Sequence, residues 1–362
     1  MDHLIKPEWF LPLHQGWLLL ITLGAIAALV KGADWLVEGA SGLAYRLGLP
    51  KVIVGATIVS LGTTSPECAV SVMAAWSGNA GLALGNAVGS IIADTALIFG
   101  LGSVLTHLPA DHFVLNRQGW VQFGTASLLA AFCFTIWGLQ GEQAQLERWV
   151  GFVLLVLLFG YMALSVRWAR IHPQGGFLAV PKEVAQAVPG LPLTAEQARR
   201  RGLARLIVSC GAGLVVVILS SHILICAVAA LAVRWGVPQV VIAATLVAVG
   251  TSMPEMVVGM ASIVKGSPEL LVGNVIGADI LNVLFVVGAS AAARPLPIVE
   301  PGAAAPEIFL WLHLPVMLLV LAIFRLYIFR ARQKGRFQRW MGLPLLVIYG
   351  AYAVAQYILG VG

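Results

Sequence analysis

The sequence predicts an all-α polytopic membrane protein with about ten transmembrane helices, arranged as two inverted-topology repeats of five. Three observations lead to this fold class: an extremely apolar composition, a succession of segments long enough to cross a bilayer, and a pattern in the first half of the chain that recurs in the second half. Hydrophobic residues make up 59% of the 362 residues, and charged residues only 10%. A soluble domain of this length could not cover its surface with so few polar side chains.

The membrane-spanning segments are predicted to be helices. A helix needs about 20 apolar residues to cross a hydrocarbon core of about 30 Å, and such stretches recur along nearly the whole chain. The alternation of apolar and polar residues that is typical of an outer-membrane barrel is absent. We place ten spans near residues 17–45, 52–76, 82–106, 119–138, 148–166, 205–233, 238–263, 270–292, 308–329 and 341–360.

The positive charges indicate how these spans are oriented. Lys and Arg accumulate in cytoplasmic loops, and ten spans place seventeen of the 22 basic residues on one face and four on the other. The longest polar connection, residues 167–204, then becomes a cytoplasmic linker between a first repeat at 1–166 and a second at 205–362. The protein is predicted to lie in the cell (inner) membrane, with both termini on the outer face of that membrane. We interpret the net charge of +6 as membrane topology, so the expected partner is the lipid bilayer and not nucleic acid.

The two halves of the chain share an internal repeat. Placing Gly62 on Gly250 aligns 55–100 with 243–288 without a gap and with 15 identities in 46 positions. We call this constant shift along the chain the repeat offset. The identities include Pro, Glu and Asn, which chance similarity between apolar helices does not readily align at one offset. Because each half holds an odd number of spans, the second copy is predicted to be inverted relative to the first, as in many transporters.

Each repeat contains a proline and a glutamate inside an apolar span, in GTTSPE at 62–67 and in GTSMPE at 250–255. The proline removes a backbone donor and, with the glycine four residues before it, predicts a broken helix with exposed carbonyls near Ser60. Pro66 suits the first turn of the second half-helix, with the preceding Thr or Ser as its cap. A carboxylate at this depth costs roughly 3 kcal/mol or more, and it usually marks a functional site.

The helix after each broken helix carries a second polar motif. It reads GNAVGSIIAD in the first repeat, ending at Asp94, and GNVIGADILN in the second, ending at Asn282. Asn86, Ser90 and Asp94 are spaced four residues apart and therefore share one helix face. Asn274 and Asn282 form the matching face in the second repeat. Asn86 and Asn274 are further candidate ligands, although helix packing would also explain them.

Together the motifs supply many oxygen donors. The set comprises the broken-helix carbonyls and the side chains of Glu67, Glu255, Asp94, Asn282, Thr63, Thr64, Ser90, Thr251 and Ser252. Oxygen ligands that include several carboxylates suit Ca²⁺, which takes about 6 to 8 of them, and smaller subsets suit Na⁺. No thiolate or imidazole joins the set, and the four cysteines show no paired spacing. Because zinc, nucleophile-elbow and P-loop motifs are absent, the sequence favours neither an enzyme nor a cofactor.

At these residues the chain resembles the cation/Ca²⁺ antiporter superfamily, the sodium/calcium exchangers, and especially its prokaryotic members. The resemblance covers essentially the whole chain. ATIVSLGTTSPE with GNAVGSIIAD, and ATLVAVGTSMPE with GNVIGADILN, match the two α-repeats of the family, at about 52–106 and 238–292. The resemblance implies that two glutamates are shared ion ligands, supported by hydroxyls and by backbone carbonyls. These residues are Glu67, Glu255, Thr63, Thr64, Thr251 and Ser252, with the carbonyls near Ser60 and Ala248.

The chain departs from the family pattern in the second motif of each repeat. Many relatives have Asn at the position of Asp94, and several have Asp at the position of Asn282, so a carboxylate has moved between pseudo-symmetric positions. Ala278 replaces a serine that the family often uses as a ligand, and Asp279 beside it is unusual. Asp279 lies off the face of Asn282, so it is expected to contact either the cavity, where it is a further candidate ligand, or another helix.

The resemblance and the donor set predict a secondary active cation antiporter that exchanges Na⁺ and Ca²⁺ by alternating access at a midplane site. Three ionised carboxylates would give the empty site a threefold negative charge, which cations must compensate before it can cross the low-dielectric barrier. Two alternatives stay open. A proton-coupled exchanger of Ca²⁺ or another divalent cation could use the same carboxylates, and a passive cation channel could be built on similar repeats.

Overall fold

The computed structural model describes most of the chain. The described residues are 9–10, 12–46, 60–110, 112–171, 202–236, 252, 255–256, 259–260, 263, 268–299 and 307–361.

The described chain is almost wholly helical. In chain order its elements are α1 (Gln15–Arg46), α2 (Ser60–Thr63), α3 (Ser65–Trp76), α4 (Ala80–Ile92), the π-helix π1 (Ala93–Ile98), α5 (Phe99–Leu105), α6 (His112–Gln140), β1 (Gln145–Leu146), α7 (Arg148–Ile171), α8 (Leu203–Trp235), α9 (Glu269–Leu281), the π-helix π2 (Asn282–Val287), α10 (Gly288–Ala293), β2 (Leu296–Pro297), the π-helix π3 (Phe309–His313), α11 (Leu314–Lys334) and α12 (Gly342–Val361). Short 3₁₀ turns at Gly141–Gln143 and Arg339–Met341 complete the elements.

These helices coincide with the predicted spans apart from their ends. α6 begins at His112, several residues before the predicted start near 119, and α7 and α11 continue to Ile171 and Lys334. The added C-terminal turns of α7 and α11 carry Arg or Lys, whose long side chains can reach water from a helix that is still leaving the bilayer. Helical hydrogen bonding therefore continues beyond the apolar segment that the composition reveals.

Six helices are long and apolar enough to cross a membrane among the residues that the structure describes. They are Gln15–Gly32, Ala80–Leu105, Leu115–Gln143, Arg148–Trp168, Leu271–Ala293 and Phe309–Ala331. Two of them are mostly buried inside the protein, 78% of Ala80–Leu105 and 83% of Leu271–Ala293, against 22–44% for the other four. The protein is thus a multi-pass membrane protein with these two helices at its centre. The full count of ten spans stays a prediction, because the second broken helix lies largely outside the described residues.

The structure repeats with the offset seen in the sequence. α1 begins at Gln15 and α8 at Leu203, two positions that the repeat offset makes equivalent, and these two helices pack against each other. π1 and π2 also occupy nearly equivalent positions, Ala93–Ile98 and Asn282–Val287. The sequence repeat is therefore matched by a repeat of helix boundaries, including a π-helix that interrupts the same helix in each half.

Backbone pairing between the halves is reciprocal. In the β1–β2 pair Gln145 lies opposite Pro297, and in an isolated bridge Pro109 lies opposite Arg336. Pro109 and Pro297 are related by the repeat offset, so equivalent loops of the two halves each pair with the opposite half. Such an exchange of the same contact is what a two-fold axis produces. It supports a two-fold relation between the halves, and the inversion of one repeat relative to the other stays a prediction.

Two close helix crossings depend on glycine. A Cβ atom added to Gly342 of α12 would lie 2.2 Å from the carbonyl oxygen of Gly100 in α5. A Cβ atom added to Gly151 of α7 would lie 2.6 Å from the carbonyl oxygen of Gly288 in α10. Gly100 and Gly288 are again equivalent under the repeat offset. Glycine is needed at these crossings because any side chain would push the two backbones apart.

We expect Gly151→Ala and Gly342→Ala each to lower the free energy of unfolding by about 1–3 kcal/mol, because the added methyl group overlaps a neighbouring backbone. The measurement is thermal unfolding of the purified protein in detergent. Gly160→Ala in α7 and Gly350→Ala in α12 are matched controls, since no atom lies within 4 Å of the added Cβ. The controls should be neutral or slightly stabilising, and equal losses in all four variants would contradict the tight crossings.

Candidate cation site

The first GTTSPE motif forms the predicted break in the helix. α2 ends at Thr63, Thr64 intervenes, and α3 begins at Ser65 with Pro66 in its first turn. Pro66 has no N–H, so the carbonyl four residues before it loses its helical donor. The Thr64 amide still donates to the Ser60 carbonyl at 2.8 Å. The motif therefore releases backbone groups without opening the helix into a loop.

Glu67 lies where the two motifs meet. It is in the first turn of α3, where the exposed N–H ends of a helix favour negative charge, and it is 1% exposed. Its Oε1 atom accepts a hydrogen bond from the hydroxyl of Ser252, 3.2 Å away in the second motif. Two motifs that lie far apart in the sequence therefore contribute to one buried region.

Glu255 is the counterpart of Glu67 in the second motif, and it is also 1% exposed. The hydroxyls of Thr63 and Thr64 lie beside its carboxylate. Among the described residues, however, neither carboxylate oxygen of Glu255 accepts a hydrogen bond of ordinary geometry, and the Thr64 hydroxyl has no partner either. Carboxylate and hydroxyl oxygens thus face each other between the halves, in an arrangement that suits a cation coordinated by oxygen.

Asp94 adds a third carboxylate to this region. It is fully buried in π1, and π-helical turns often occur at functional sites. Its charge interacts with those of Glu255, Asp279 and Glu67, and within the described part of the chain neither of its oxygens accepts a hydrogen bond of ordinary geometry. Repulsion between like charges in buried surroundings is relieved when a cation binds among the carboxylates.

Three more predicted ligands are buried polar residues. Ser90 is fully buried, Asn282 is 1% exposed at the start of π2, and Asn274 is 7% exposed. The Ser90 hydroxyl and both amides have no hydrogen-bond partner among the residues that the structure describes. Buried polar groups in proteins are nearly always hydrogen-bonded or bound to an ion. The oxygen atoms of Ser90 and Asn282 therefore fit the proposed cation site.

Asn86 contacts the broken helix directly. Its Nδ2 atom donates to the backbone carbonyl of Glu67 at 3.2 Å and to the hydroxyl of Ser71 at 2.9 Å. These bonds join α4 to α3 and hold the turn that carries Glu67. The helix-packing explanation of Asn86 is thus visible in the structure, while a ligand role for its side-chain oxygen stays a prediction.

Asp279 contacts other helices, which was one of the two expectations for it. It is 2% exposed, and its Oδ2 atom accepts hydrogen bonds from Thr95 Oγ1 at 2.5 Å and from Gln122 Nε2 at 2.6 Å. Thr95 belongs to π1 and Gln122 to α6, both in the first half of the chain. Asp279 therefore links α9 of the second half to two elements of the first.

Two predicted ligands, Thr251 and Ala248, lie outside the described residues, and their roles stay predictions. The predicted carbonyl at Ser60 accepts hydrogen bonds from the Thr64 amide and, at 3.3 Å, from the Thr63 hydroxyl. Within the described part of the chain, no three carboxylate, imidazole or thiolate groups form a compact metal cluster. A cation bound here would therefore combine a few carboxylates with hydroxyl, amide and carbonyl oxygens.

Sequence reasoning missed three residues of this region. Thr95 and Gln122 bind Asp279, and Tyr349 of α12 interacts electrostatically with Asp94. None was identified as a site residue, because an apolar span does not reveal which of its faces packs on a distant motif. The available signal was the amide of Gln122 within an apolar span, since polar groups inside a membrane usually face the protein interior.

Comparison with known proteins identifies relatives along almost the whole chain. The family model described as sodium/calcium exchanger protein matches residues 17–167 and 205–358. The sodium/calcium exchanger MaX1 of Methanosarcina acetivorans is 28% identical over 357 residues, which cover 93% of this chain and 98% of that protein. The inner membrane protein YrbG of Escherichia coli is 30% identical over 308 residues, which cover 85% of this chain and 87% of that protein.

The fold is also similar to that of a solved protein. The sodium-calcium exchanger NCX_Mj matches with a TM-score of 0.60 and 22% sequence identity, over 94% of this chain and 99% of that chain. At this level of identity the similarity concerns the fold alone.

We expect Ser252→Ala to weaken cation binding about three- to tenfold, because it removes the hydroxyl that bonds Glu67 from the opposite motif. The measurement is equilibrium binding of radiolabelled Ca²⁺ to the purified protein. Ser103→Ala is the matched control, since Ser103 is a fully buried serine of α5 outside both motifs. Equal binding by the wild type and both variants would show that Ser252 does not belong to the site.

Proposed function

Because the chain belongs to the sodium/calcium exchanger family, we propose that it is a secondary active antiporter that exchanges Na⁺ for Ca²⁺. The observation that carries this proposal is the set of buried carboxylates of Glu67, Glu255 and Asp94, drawn from both halves of the chain. The relative MaX1 carries the name of such an exchanger.

The donor atoms around these carboxylates suit both ions. Glu67, Glu255 and Asp94 supply charged oxygens. The remaining proposed ligands supply neutral ones: Thr63, Thr64, Ser90, Thr251, Ser252 and Asn282, the carbonyls of Ser60 and Ala248, and, as additional candidates, Asn86 and Asn274. Ca²⁺ prefers several hard oxygens with more than one carboxylate, and Na⁺ can use a smaller subset of the same oxygens. Ca²⁺ and Na⁺ are the transported substrates in this proposal, and no cofactor or covalent step is needed.

Charge balance couples the two ion fluxes. A region with several ionised carboxylates cannot move through a low-dielectric environment unless cations compensate its charge. Either several Na⁺ ions, or Ca²⁺ together with partial protonation of the carboxylates, can do so. The bound cations can therefore leave only on a side where other cations replace them. In this proposal the site switches from one side of the membrane to the other only while cations are bound. This condition couples the two fluxes and distinguishes exchange from passive leakage.

The internal symmetry supplies a means of alternating access. We propose that the second repeat, at 205–362, is inverted relative to the first, at 1–166, so that the two halves can rock about the shared site. The reciprocal pairing of Pro109 and Pro297 with the opposite halves supports this symmetry. In this proposal the protein lies in the cell (inner) membrane. The linker at 167–204 is on its cytoplasmic face, and both termini are on its outer face.

We expect Glu67→Gln and Glu255→Gln each to reduce exchange at least about tenfold, because each variant removes one charged oxygen from a site that binds a divalent ion. The measurement is uptake of radiolabelled Ca²⁺ into proteoliposomes loaded with Na⁺ and diluted into Na⁺-free medium. Glu142→Gln is the matched control, since Glu142 is exposed in the turn after α6. It should transport like the wild type.

The same vesicles separate the proposal from its alternatives. Uptake by the wild type that follows a pH gradient without any Na⁺ would replace Na⁺ with protons as the counter-ion. Failure of an outward Na⁺ gradient to concentrate Ca²⁺ above its external level would indicate a passive channel. Normal uptake by both glutamine variants would refute the assignment of the site.

A further inference from the structure

We propose that the connection between α11 and α12, residues 330–343, binds the headgroup of an anionic phospholipid. We call this segment the basic hairpin. The lipid site is separate from the ion exchange proposed above, because none of its residues belongs to the cation site. Three properties of the basic hairpin support it: a concentration of positive charge, the position of that charge beside lipid-facing apolar residues, and a backbone that is held in place.

The basic hairpin concentrates positive charge. Five of the ten residues at 330–339 are Lys or Arg, and no Asp or Glu occurs in 308–362. Four of the five side chains are exposed, namely Arg330, Lys334, Arg336 and Arg339. Within the described part of the chain, no carboxylate forms an ion pair with any of these four. Neighbouring positive charges without counter-charges repel one another, and a bound anion relieves that repulsion.

These charges continue a lipid-facing row of α11. Leu326, Arg330 and Lys334 are spaced four residues apart, so they share one face of the helix. Leu326 is 51% exposed, and an exposed leucine in a membrane-spanning helix faces the hydrocarbon. Arg330 and Lys334 lie one and two turns further along the same face, at the end of α11. They are therefore placed at the level of the headgroups, where a phospholipid carries its phosphate.

The start of α12 supplies an apolar and aromatic surface beside the charges. Trp340 and Leu343 are 49% and 57% exposed. The Trp340 ring contacts the ring of Tyr327 edge to face, with the centroids 5.7 Å apart, and Tyr327 lies about one turn before Arg330 on α11. Tryptophan at a membrane surface is typically located at the headgroup level. A ligand here meets positive charge and apolar surface together, which fits a phospholipid better than a free phosphate ion.

The backbone of the basic hairpin is held by the loop between α5 and α6. The Gly335 carbonyl accepts a hydrogen bond from the Ala110 amide at 3.1 Å, and the Phe337 amide donates to the Leu108 carbonyl at 2.7 Å. Gly335 has a φ of 68°, a left-handed conformation that ends α11. A turn that is already fixed loses little conformational freedom when it binds a ligand.

The internal repeat shows that the fold does not require this charge. The equivalent connection in the first half joins α6 to α7. The repeat offset places Glu142 at the position of Arg330, whereas Arg148 matches Arg336. Equivalent positions in equivalent connections thus carry opposite charges. In the proposed topology the two connections lie on opposite faces of the membrane, and the basic one meets the cytoplasmic leaflet, whose surface is negatively charged.

The test is equilibrium binding of radiolabelled phosphatidylglycerol to the purified full-length protein in neutral detergent, with phosphatidylcholine in excess. The wild type should bind the labelled lipid saturably. We expect Arg330→Gln and Lys334→Gln each to lower the affinity about fivefold, and the double variant about 25-fold, because each basic residue at an anionic surface contributes separately. Arg330→Lys keeps the charge and should stay within about twofold of the wild type.

Arg205→Gln and Arg148→Gln are the matched controls, since both arginines are exposed near the starts of membrane helices and outside the basic hairpin. In the proposed topology Arg205 shares the cytoplasmic face with the hairpin, and Arg148 lies on the opposite face. Both variants should bind phosphatidylglycerol like the wild type. A loss in Arg205→Gln equal to that in Arg330→Gln would indicate diffuse attraction by all basic residues of one face and would overturn the proposal.

Three other results would also overturn it. They are equal binding of phosphatidylglycerol and phosphatidylcholine by the wild type, an unchanged affinity in the double variant, and displacement of the labelled lipid by inorganic phosphate as effectively as by unlabelled phosphatidylglycerol. The last result would make the ligand a free phosphate ion. Thermal unfolding checks that each variant is folded, and Lys334→Gln serves if Arg330→Gln is not.

Lipid binding and ion exchange are measured separately. A wild type that binds phosphatidylglycerol at the basic hairpin but does not exchange Na⁺ for Ca²⁺ would refute only the proposed function. A wild type that exchanges the two ions and shows no preference for the anionic lipid would refute only the lipid site.

Discussion

The burial of four carboxylates in an apolar helical bundle is the constraint on which the rest of this structure depends. Glu67, Asp94, Glu255 and Asp279 are each 2% exposed or less. Ionised groups in such surroundings are unfavourable unless nearby dipoles and counter-charges balance them. The surrounding irregular backbone follows from this need. The break at Thr64 releases backbone groups beside Glu67, and the π-helix π1 carries Asp94.

A symmetric backbone holds an asymmetric set of charges. The backbone repeats closely, from the helix boundaries to the reciprocal loop pairing and the paired glycine crossings of Gly100 and Gly288. The charges do not repeat, because Asp94 corresponds to Asn282 and Asp279 corresponds to Ile91. A symmetric frame lets two facing directions have similar energies, as alternating access requires. The asymmetric charges leave this repeated backbone undisturbed, since they occupy side-chain positions and not helix crossings.

The position of a residue within a motif decided how well its role could be predicted. Pro66 predicted the break after Thr63, because its missing N–H removes a hydrogen bond within its own helix, whatever that helix packs against. Glu67 and Glu255 stood out for a similar reason, since a carboxylate in an apolar span is rarely there by chance. Thr95 and Gln122 gave no comparable signal. Their importance arises from contact with Asp279, which lies in the opposite half of the sequence.

The sequence by itself determined the class of protein, the positions of most helices, the internal repeat and the identity of the motif carboxylates. These properties follow from local chemistry: apolar length, the covalent restriction of proline, and the cost of a charge in hydrocarbon. The tertiary structure decided which oxygens face one another, that Ser252 bonds Glu67, and that Asp279 is held by the opposite half of the chain. Those contacts depend on the rotation and packing of whole helices, and in a membrane many apolar faces could pack almost equally well. Among the described residues, the close glycine crossings and the buried hydrogen bonds help to select one arrangement.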